Sequence, residues 1–278
     1  MTEYAFRQVD VFTSEPLRGN ALAVVVAADD LTDAQMAALA NWTNLSETAF
    51  LLQPREPLAD CRVRIFTPHG ELPFAGHPTI GSCHVWLTTG ATPKGGQILQ
   101  ECAIGLVRIR RRLGLLSFAA PRMRRTGALE PDILARVIKG LNLAAETIIA
   151  SSWVDNGPGW LAVMLRSRQD VLAVRPDYTV LSGVRVGVVA AWNPDKDGTE
   201  AQFEIRAFTE GNYEDPVTGS LNAGVAQWLI GAGIAPPNYI ASQGAVLGRM
   251  GRVHVEQDGP EIWIGGAVTT RITGTLKL

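Results

Sequence analysis

Two short stretches of the chain combine polar side chains with glycine where helices should begin. The first is "ELPFAGHPTIG", 71–81, in which His77 follows Gly76. The second is "EDPVTGSLNAG", 214–224, which opens with an acid, Asp215. A helix N-terminus leaves backbone N–H groups free and carries partial positive charge. Glycine lets an anion approach these groups closely, so each entrance is suited to a carboxylate or an enolate.

Three side chains are candidates for proton transfer. His77 titrates near neutral pH by its ordinary chemistry. Asp215 would do so in a dry site. Glu47, in "NLSETAFLL", is an acid at the edge of an apolar strand. The alternative for Glu47 is a solvent-facing strand start, and composition alone does not reject it.

The glycines and polar residues of the entrances also have a structural explanation. Gly76 and Gly219 could serve tight turns, while Asp215, Thr218 and Ser220 could cap a helix. For any one residue alone, this explanation is the better one. The occurrence of the same pattern twice in one chain favours a functional role for all five.

Several other chemistries do not fit the residues present. The three cysteines lie outside both entrances and form no CxxC, which excludes a two-thiol acid/base mechanism and a disulfide framework. The four histidines lack metal-ligand spacing, so we expect no metal. Ser220 lies in "TGS", which is neither a GxSxG elbow nor the end of a P-loop.

Composition narrows the class of partner. The chain has 278 residues, 46% of them hydrophobic, and a formal net charge of −2. Seven arginines fall in 108–125 with few aromatic residues nearby, so we expect a solvated hairpin or dimer contact and no nucleic acid. Because the first residues lack a signal-peptide core and no apolar run reaches about 18 residues, we expect a cytoplasmic protein without a membrane partner.

The alternation of strands and helices occurs twice along the chain. The stretch 64–87 lines up with 206–229, so that Arg64 matches Arg206 and Gly81 matches Gly224 after a one-residue slip. This predicts an α+β fold with two pseudo-symmetric domains, each an antiparallel sheet around a central helix.

The predicted domains are residues 1–122 and 123–278, with the last strand, 268–278, able to pack on the first domain. Within the first domain, Thr32 and Gln35 predict a capping box for one helix. We place Pro78 at the first position of the next helix, and we expect Trp42 to lie in the core.

The chain resembles the PhzF-like family of phenazine-biosynthesis isomerases, which has the diaminopimelate-epimerase-like fold. The similarity runs nearly end to end and is carried by "ELPFAGHP" and "EDPVTGS", together with "NLSETAFL", "VDVFTSEPLRGNALAVV", "DNGPGWLAV" and "SQGAVLGRMGRVHVE". The related epimerases have a catalytic cysteine in each half, at the places that Ala75 and Pro216 take here. The chain therefore resembles the PhzF branch.

The resemblance implies a cofactor-independent homodimer that moves a proton on a small carboxylic acid in a cleft between its domains. The family's catalytic acid falls on Glu47. Its histidine falls on His77 and its aspartate on Asp215. The substrate-binding positions fall on Ser220, beside Thr218, and on the backbone N–H groups of Gly76 and Gly219.

Two departures from the phenazine enzyme leave the substrate open: Pro216, and "HG" at 69–70. Two other functions stay open beside the isomerase. One is an amino-acid or hydroxy-acid racemase or epimerase using the same site. The other is a non-catalytic protein that binds small acids or acts as a scaffold.

Overall fold

The computed structural model describes residues 2–278, which form two compact units. Unit 1 comprises the residues up to Ala119 together with Gly265–Leu278, and unit 2 comprises Ala120–Ile264. Strands dominate both units and helices are few, which confirms the α+β class.

The strands, in chain order, are β1 Glu3–Val11, β2 Asn20–Val25, β3 Glu47–Leu52, β4 Cys61–Thr67, β5 Gly70–Leu72, β6 Ile98–Cys102, β7 Gly105–Arg112, β8 Leu115–Ala119, β9 Arg125–Gly127, β10 Ile148–Asp155, β11 Trp160–Leu165, β12 Arg185–Ala191, β13 Phe203–Phe208, β14 Glu214–Asp215, β15 Asn238–Gln243, β16 Gly251–Asp258, β17 Glu261–Gly266 and β18 Val268–Lys277. The helices are α1 Asp33–Thr43, α2 Gly76–Thr88, α3 Pro131–Gly140, α4 Arg168–Ala173, α5 Pro194–Asp197 and α6 Gly219–Gly231.

The sheet of unit 1 is mixed. Its strands pair in the order β18, β1, β2, β3, β4, β6, β7, β8, and β5 forms a hairpin with β4. The β2–β3 and β4–β6 pairs are parallel, and the others are antiparallel. The β2–β3 register places Leu22 opposite Glu47, so Glu47 starts a strand that lies next to β2.

The sheet of unit 2 has the same plan. Its strands pair in the order β9, β10, β11, β12, β13, β15, β16, and β14 forms a hairpin with β13. The parallel pairs, β11–β12 and β13–β15, occupy the same places in the order as β2–β3 and β4–β6 of unit 1. In both units a short hairpin leads directly into a 13-residue helix, α2 or α6.

The two long helices are buried along most of their length, because small residues let the backbone come close to the strands. At Gly224 of α6, an added Cβ would lie 2.2 Å from the carbonyl oxygen of Val154 in β10. At Gly81 of α2, it would lie 2.5 Å from the Leu22 side chain. Helix α2 packs on the sheet of unit 1 and α6 on the sheet of unit 2.

The repeated arginines have repeated contacts. Arg64 binds both carboxylate oxygens of Glu71, and Arg206 binds both of Glu214, at 2.7–2.8 Å. Each pair joins the two strands of the hairpin that precedes the helix. These bidentate pairs therefore fix the path of the chain into each helix entrance.

Two local predictions are wrong and one is confirmed. The capping box of α1 is present, with Thr32 and Gln35 as its members. Pro78 is the third residue of α2 and not the first, since the helix begins at Gly76 with Ala75 as its N-cap. Trp42 is 79% exposed because the buried face of α1 is supplied by Met36, Leu39 and Ala40 and does not include position 42.

Candidate active site

Unit 1 brings the predicted acid and histidine together. Glu47 is the first residue of β3, and His77 is the second residue of α2. His77 Nε2 lies 3.2 Å from Glu47 Oε2. The Glu47 side chain keeps 13% of its surface exposed and the His77 side chain 3%. The carboxylate is thus the more accessible member of the pair, as a group that exchanges protons with a ligand must be.

Burial changes the role that His77 can have. It lowers the pKa of His77 to about 3, because an imidazolium loses its hydration in the interior. The expectation that His77 itself titrates near neutral pH is therefore wrong. A neutral imidazole still carries one N–H, and it can donate that N–H to a carboxylate.

The other ring nitrogen of His77 also has a polar neighbour. Asn20 Nδ2, at the start of β2, lies 3.3 Å from His77 Nδ1. His77 is thus held between an amide and a carboxylate. This arrangement fixes the plane of the ring at the beginning of α2.

The entrance of α2 has no side-chain cap. Its N-cap is Ala75, whose methyl group accepts no hydrogen bond, and Gly76 follows as the first helical residue. The Ala75 carbonyl accepts the backbone N–H and the hydroxyl of Thr79. The first N–H groups of the helix are therefore not taken up by a capping side chain, as an anion-binding entrance requires.

Unit 2 positions Asp215 through a buried network. Thr218 Oγ1 donates to Asp215 Oδ2 at 2.5 Å. Gln243 Oε1 accepts from the Thr218 and Asn222 N–H groups, and Gln243 Nε2 donates to the Asp215 carbonyl and to Thr218 Oγ1. All four hydrogen-bonding positions of the Gln243 amide are used. Gln243 therefore connects β14, α6 and β15 behind the aspartate.

Ser220 is held from two sides at the start of α6. Trp160 Nε1 donates to Ser220 Oγ at 3.0 Å, and Asn156 Nδ2 donates to the Ser220 carbonyl at 2.8 Å. Because the hydroxyl oxygen already accepts from an indole, the hydroxyl proton is available for another acceptor. A substrate carboxylate is such an acceptor.

The α6 entrance resembles that of α2. Its N-cap is Thr218, which makes no side-chain cap bond, and Gly219 is the first helical residue. The structural explanation in which the side chains of Asp215, Thr218 and Ser220 cap the helix is therefore wrong for Thr218. Thr218 uses its hydroxyl on Asp215, and Ser220 lies inside the helix.

The structure places the predicted residues in two groups. Glu47, Gly76 and His77 lie together in unit 1, and Asp215, Thr218, Gly219 and Ser220 lie together in unit 2. Sequence reasoning missed four polar partners of these residues: Asn20, Asn156, Trp160 and Gln243. Each is in a stretch that carries the family resemblance, but nothing in the one-dimensional pattern shows which side chain it contacts.

Two further properties concern residues 2–278. Within this range no three His, Cys, Asp or Glu side chains are grouped as metal ligands would be. Over the same range, no helix is long and apolar enough to span a bilayer. Cys61, Cys83 and Cys102 are free thiols.

The structure has two units of the same topology, each with a helix entrance that lacks a side-chain cap, and its α+β fold is epimerase-like. The sequence model of the family described as phenazine biosynthesis-like protein, PhzC-PhzF, matches residues 9–274. The chain therefore belongs to the phenazine biosynthesis-like (PhzF) family, and several of its relatives are named isomerases.

Relatives match along nearly the whole chain. A Schizosaccharomyces pombe protein named Antisense-enhancing sequence 1 is 36% identical over 298 residues, covering 99% of each chain. The trans-2,3-dihydro-3-hydroxyanthranilate isomerase of Pseudomonas fluorescens is 32% identical over 260 residues, covering 90% of this chain and 89% of that enzyme.

A solved structure supports the fold. The PhzF-family phenazine biosynthesis protein of Enterococcus faecalis superposes with a TM-score of 0.82, covering 100% of each chain at 24% identity. This similarity bears on the fold alone.

Proposed function

We propose that this protein is a cofactor-independent isomerase that moves a proton between carbons of a small cyclic or amino carboxylic acid. The substrate we propose is similar to trans-2,3-dihydro-3-hydroxyanthranilate. The observation that carries the proposal is the Glu47 carboxylate held 3.2 Å from the neutral, buried imidazole of His77. The name of the Pseudomonas fluorescens relative supports the substrate class.

Glu47 has the role of the proton carrier in this proposal. Its carboxylate takes a proton from one carbon of the substrate and returns it to another, so that a double bond moves and no atom is lost. The His77 ring lies beside the carboxylate, with Nε2 3.2 Å from Glu47 Oε2. Because His77 stays neutral, it does not take up the proton in place of Glu47.

The helix entrances bind and stabilise charge. Each entrance can bind an anion within its own unit: the N–H at Gly76 in unit 1, and the N–H at Gly219 with the Ser220 hydroxyl in unit 2. Asp215, fixed by Thr218, has the role of orienting an acid bound at the entrance of α6. The uncapped starts of α2 and α6 support these roles.

An amino-acid or hydroxy-acid racemase is the second candidate, since one carboxylate beside a carboxylate-binding entrance also suits proton exchange at a stereocentre. A non-catalytic protein is the third. The name of the Schizosaccharomyces pombe relative, which does not describe an isomerase, favours testing it. We also propose that the active form is a homodimer, which light scattering tests.

The test is solvent-deuterium exchange followed by mass spectrometry. The protein is incubated in D₂O with trans-2,3-dihydro-3-hydroxyanthranilate and a panel of cyclic and amino carboxylates. Deuterium uptake with a moved double bond supports the isomerase, and uptake with inversion alone supports the racemase. Binding by thermal shift without any uptake across the panel would contradict both enzymes and support the non-catalytic protein.

A further inference from the structure

Asn20 contacts the ring of His77 and has no part in the proposed reaction as described above. Asn20 is 2% exposed, and its Nδ2 lies 3.3 Å from His77 Nδ1. An amide nitrogen carries two hydrogens and accepts none, so it pairs only with an unprotonated Nδ1. With the amide nitrogen facing the ring, the proton of a neutral imidazole is on Nε2. That nitrogen is the one 3.2 Å from Glu47.

Asn20 is itself held by a rigid turn. Asp10, 3% exposed in β1, accepts the Gly19 N–H at 2.9 Å with Oδ1 and the Arg18 N–H at 3.1 Å with Oδ2. The turn has no room for a side chain at position 19, because an added Cβ would lie 2.2 Å from the Val11 carbonyl oxygen. Backbone atoms cannot move aside as a flexible side chain can. The entry to β2 is therefore fixed at the residue before Asn20.

We propose that Asn20 is a positioning residue that, held by Asp10 and Gly19, fixes the Nε2–H tautomer of His77, so that the ring nitrogen nearest Glu47 is the protonated one. The inference rests on the proposed function, in which Glu47 carries the proton. The tautomer is a property of the protein without substrate, so it is tested separately from the reaction.

The opposite tautomer would place two acceptors face to face. With the proton on Nδ1, the unprotonated Nε2 would point at the Glu47 carboxylate, and the two would repel each other. The carboxylate would turn away from the ring or take up a proton. In either case it would lose the orientation that proton transfer between two carbons needs.

The test is nitrogen NMR of protein labelled at histidine, without substrate. The chain has four histidines, and His77→Gln assigns the signal of interest. We expect Nε2 protonated and Nδ1 unprotonated in the wild-type protein. Asn20→Asp replaces the amide donor by a carboxylate of the same shape, so we expect Nδ1 to become protonated. Asn238→Asp, at an exposed asparagine, is the matched control and should leave His77 unchanged.

A second variant makes the test independent of how well Asn20→Asp folds. Asn20→Ser has a hydroxyl too short to reach the ring, so we expect a signal from the Nδ1–H form to appear. A wild-type protein with Nδ1 protonated would overturn the inference. So would variants at position 20 that keep His77 purely in the Nε2–H form.

The kinetic consequence separates this inference from the proposed function. On a compound that the wild-type protein exchanges, Asn20→Asp should lower kcat about 10²–10⁴-fold with little change in KM. Unchanged kcat beside an altered tautomer would overturn the positioning role. No exchange on any compound, with the wild-type tautomer as expected, would count against the proposed function and not against the tautomer assignment.

Discussion

The buried imidazole of His77 makes the stability of the protein depend on pH in a calculable way. In the unfolded chain the pKa of His77 is about 6.5, and burial lowers it to about 3 in the fold. As the pH falls below 6.5, the unfolded chain binds a proton that the folded one rejects. Stability is therefore lost on acidification, from about pH 6.5 down to about pH 3.

The size of the loss at pH 5 follows from the unfolded pKa alone. At that pH about 97% of the unfolded histidine is protonated, and the free energy gained by the unfolded state is about 2 kcal/mol. A folded pKa of either 3 or 4 gives nearly the same value, because both lie well below pH 5. At pH 7.5 the contribution is close to zero. Between these two pH values, His77 should cost about 2 kcal/mol of unfolding free energy.

The assay compares the wild-type protein with His77→Gln at pH 7.5 and pH 5. Urea unfolding is followed by pulsed hydrogen exchange and mass spectrometry on peptides from β2–β4, which report unit 1. Titratable groups that do not contact His77 cancel in the difference between the two proteins. We expect the wild-type protein to lose about 2 kcal/mol more than His77→Gln. Equal losses would refute the conclusion that His77 is buried and neutral.

Three further substitutions and one control substitution test unit 2. Gly224→Ala places a methyl group against the Val154 carbonyl and should cost about 1–3 kcal/mol in urea unfolding. Gly231→Ala, in the same helix with open space around it, should be neutral or stabilising, and equal effects would contradict the close approach of α6. Gln243→Leu removes four buried hydrogen bonds and should destabilise by about 3 kcal/mol or more, so a stability near wild type would exclude Gln243 as the residue that holds the entrance. Ser220→Ala removes one hydrogen bond to the carboxylate and should raise KM about tenfold, and an unchanged KM would show that Ser220 does not bind substrate.

The sequence predicted the fold well because its strongest signals repeat. The match of Arg64 with Arg206 and of Gly81 with Gly224 indicates two similar units from the sequence alone. Both arginines indeed make the same bidentate contact in the two hairpins. Local rules also predicted the start of α1, where the capping box is formed by residues three apart in the chain.

The sequence predicted less where contacts join distant segments. Asn20 and His77 are 57 residues apart, and Gln243 and Thr218 are 25 apart. No sequence periodicity links residues so far apart, so the sequence does not identify Asn20 as the partner of His77 or Gln243 as the partner of Thr218. The ionisation of His77 was mispredicted for the same reason, because burial is a property of the whole fold and not of "GHP". Trp42 was predicted to lie in the core because it is a large apolar residue on a helix. It is exposed, since it lies outside the buried face of α1.

The most direct test of the central claim is the exchange rate of Glu47→Gln on a compound that the wild-type protein labels in D₂O. Glutamine keeps the shape of the side chain but cannot carry the proton. Glu146→Gln makes the same change at an exposed position in unit 2 and serves as the control. The account predicts that Glu47→Gln folds and binds the compound but loses exchange, while Glu146→Gln exchanges at the wild-type rate. Wild-type exchange by Glu47→Gln would contradict the account.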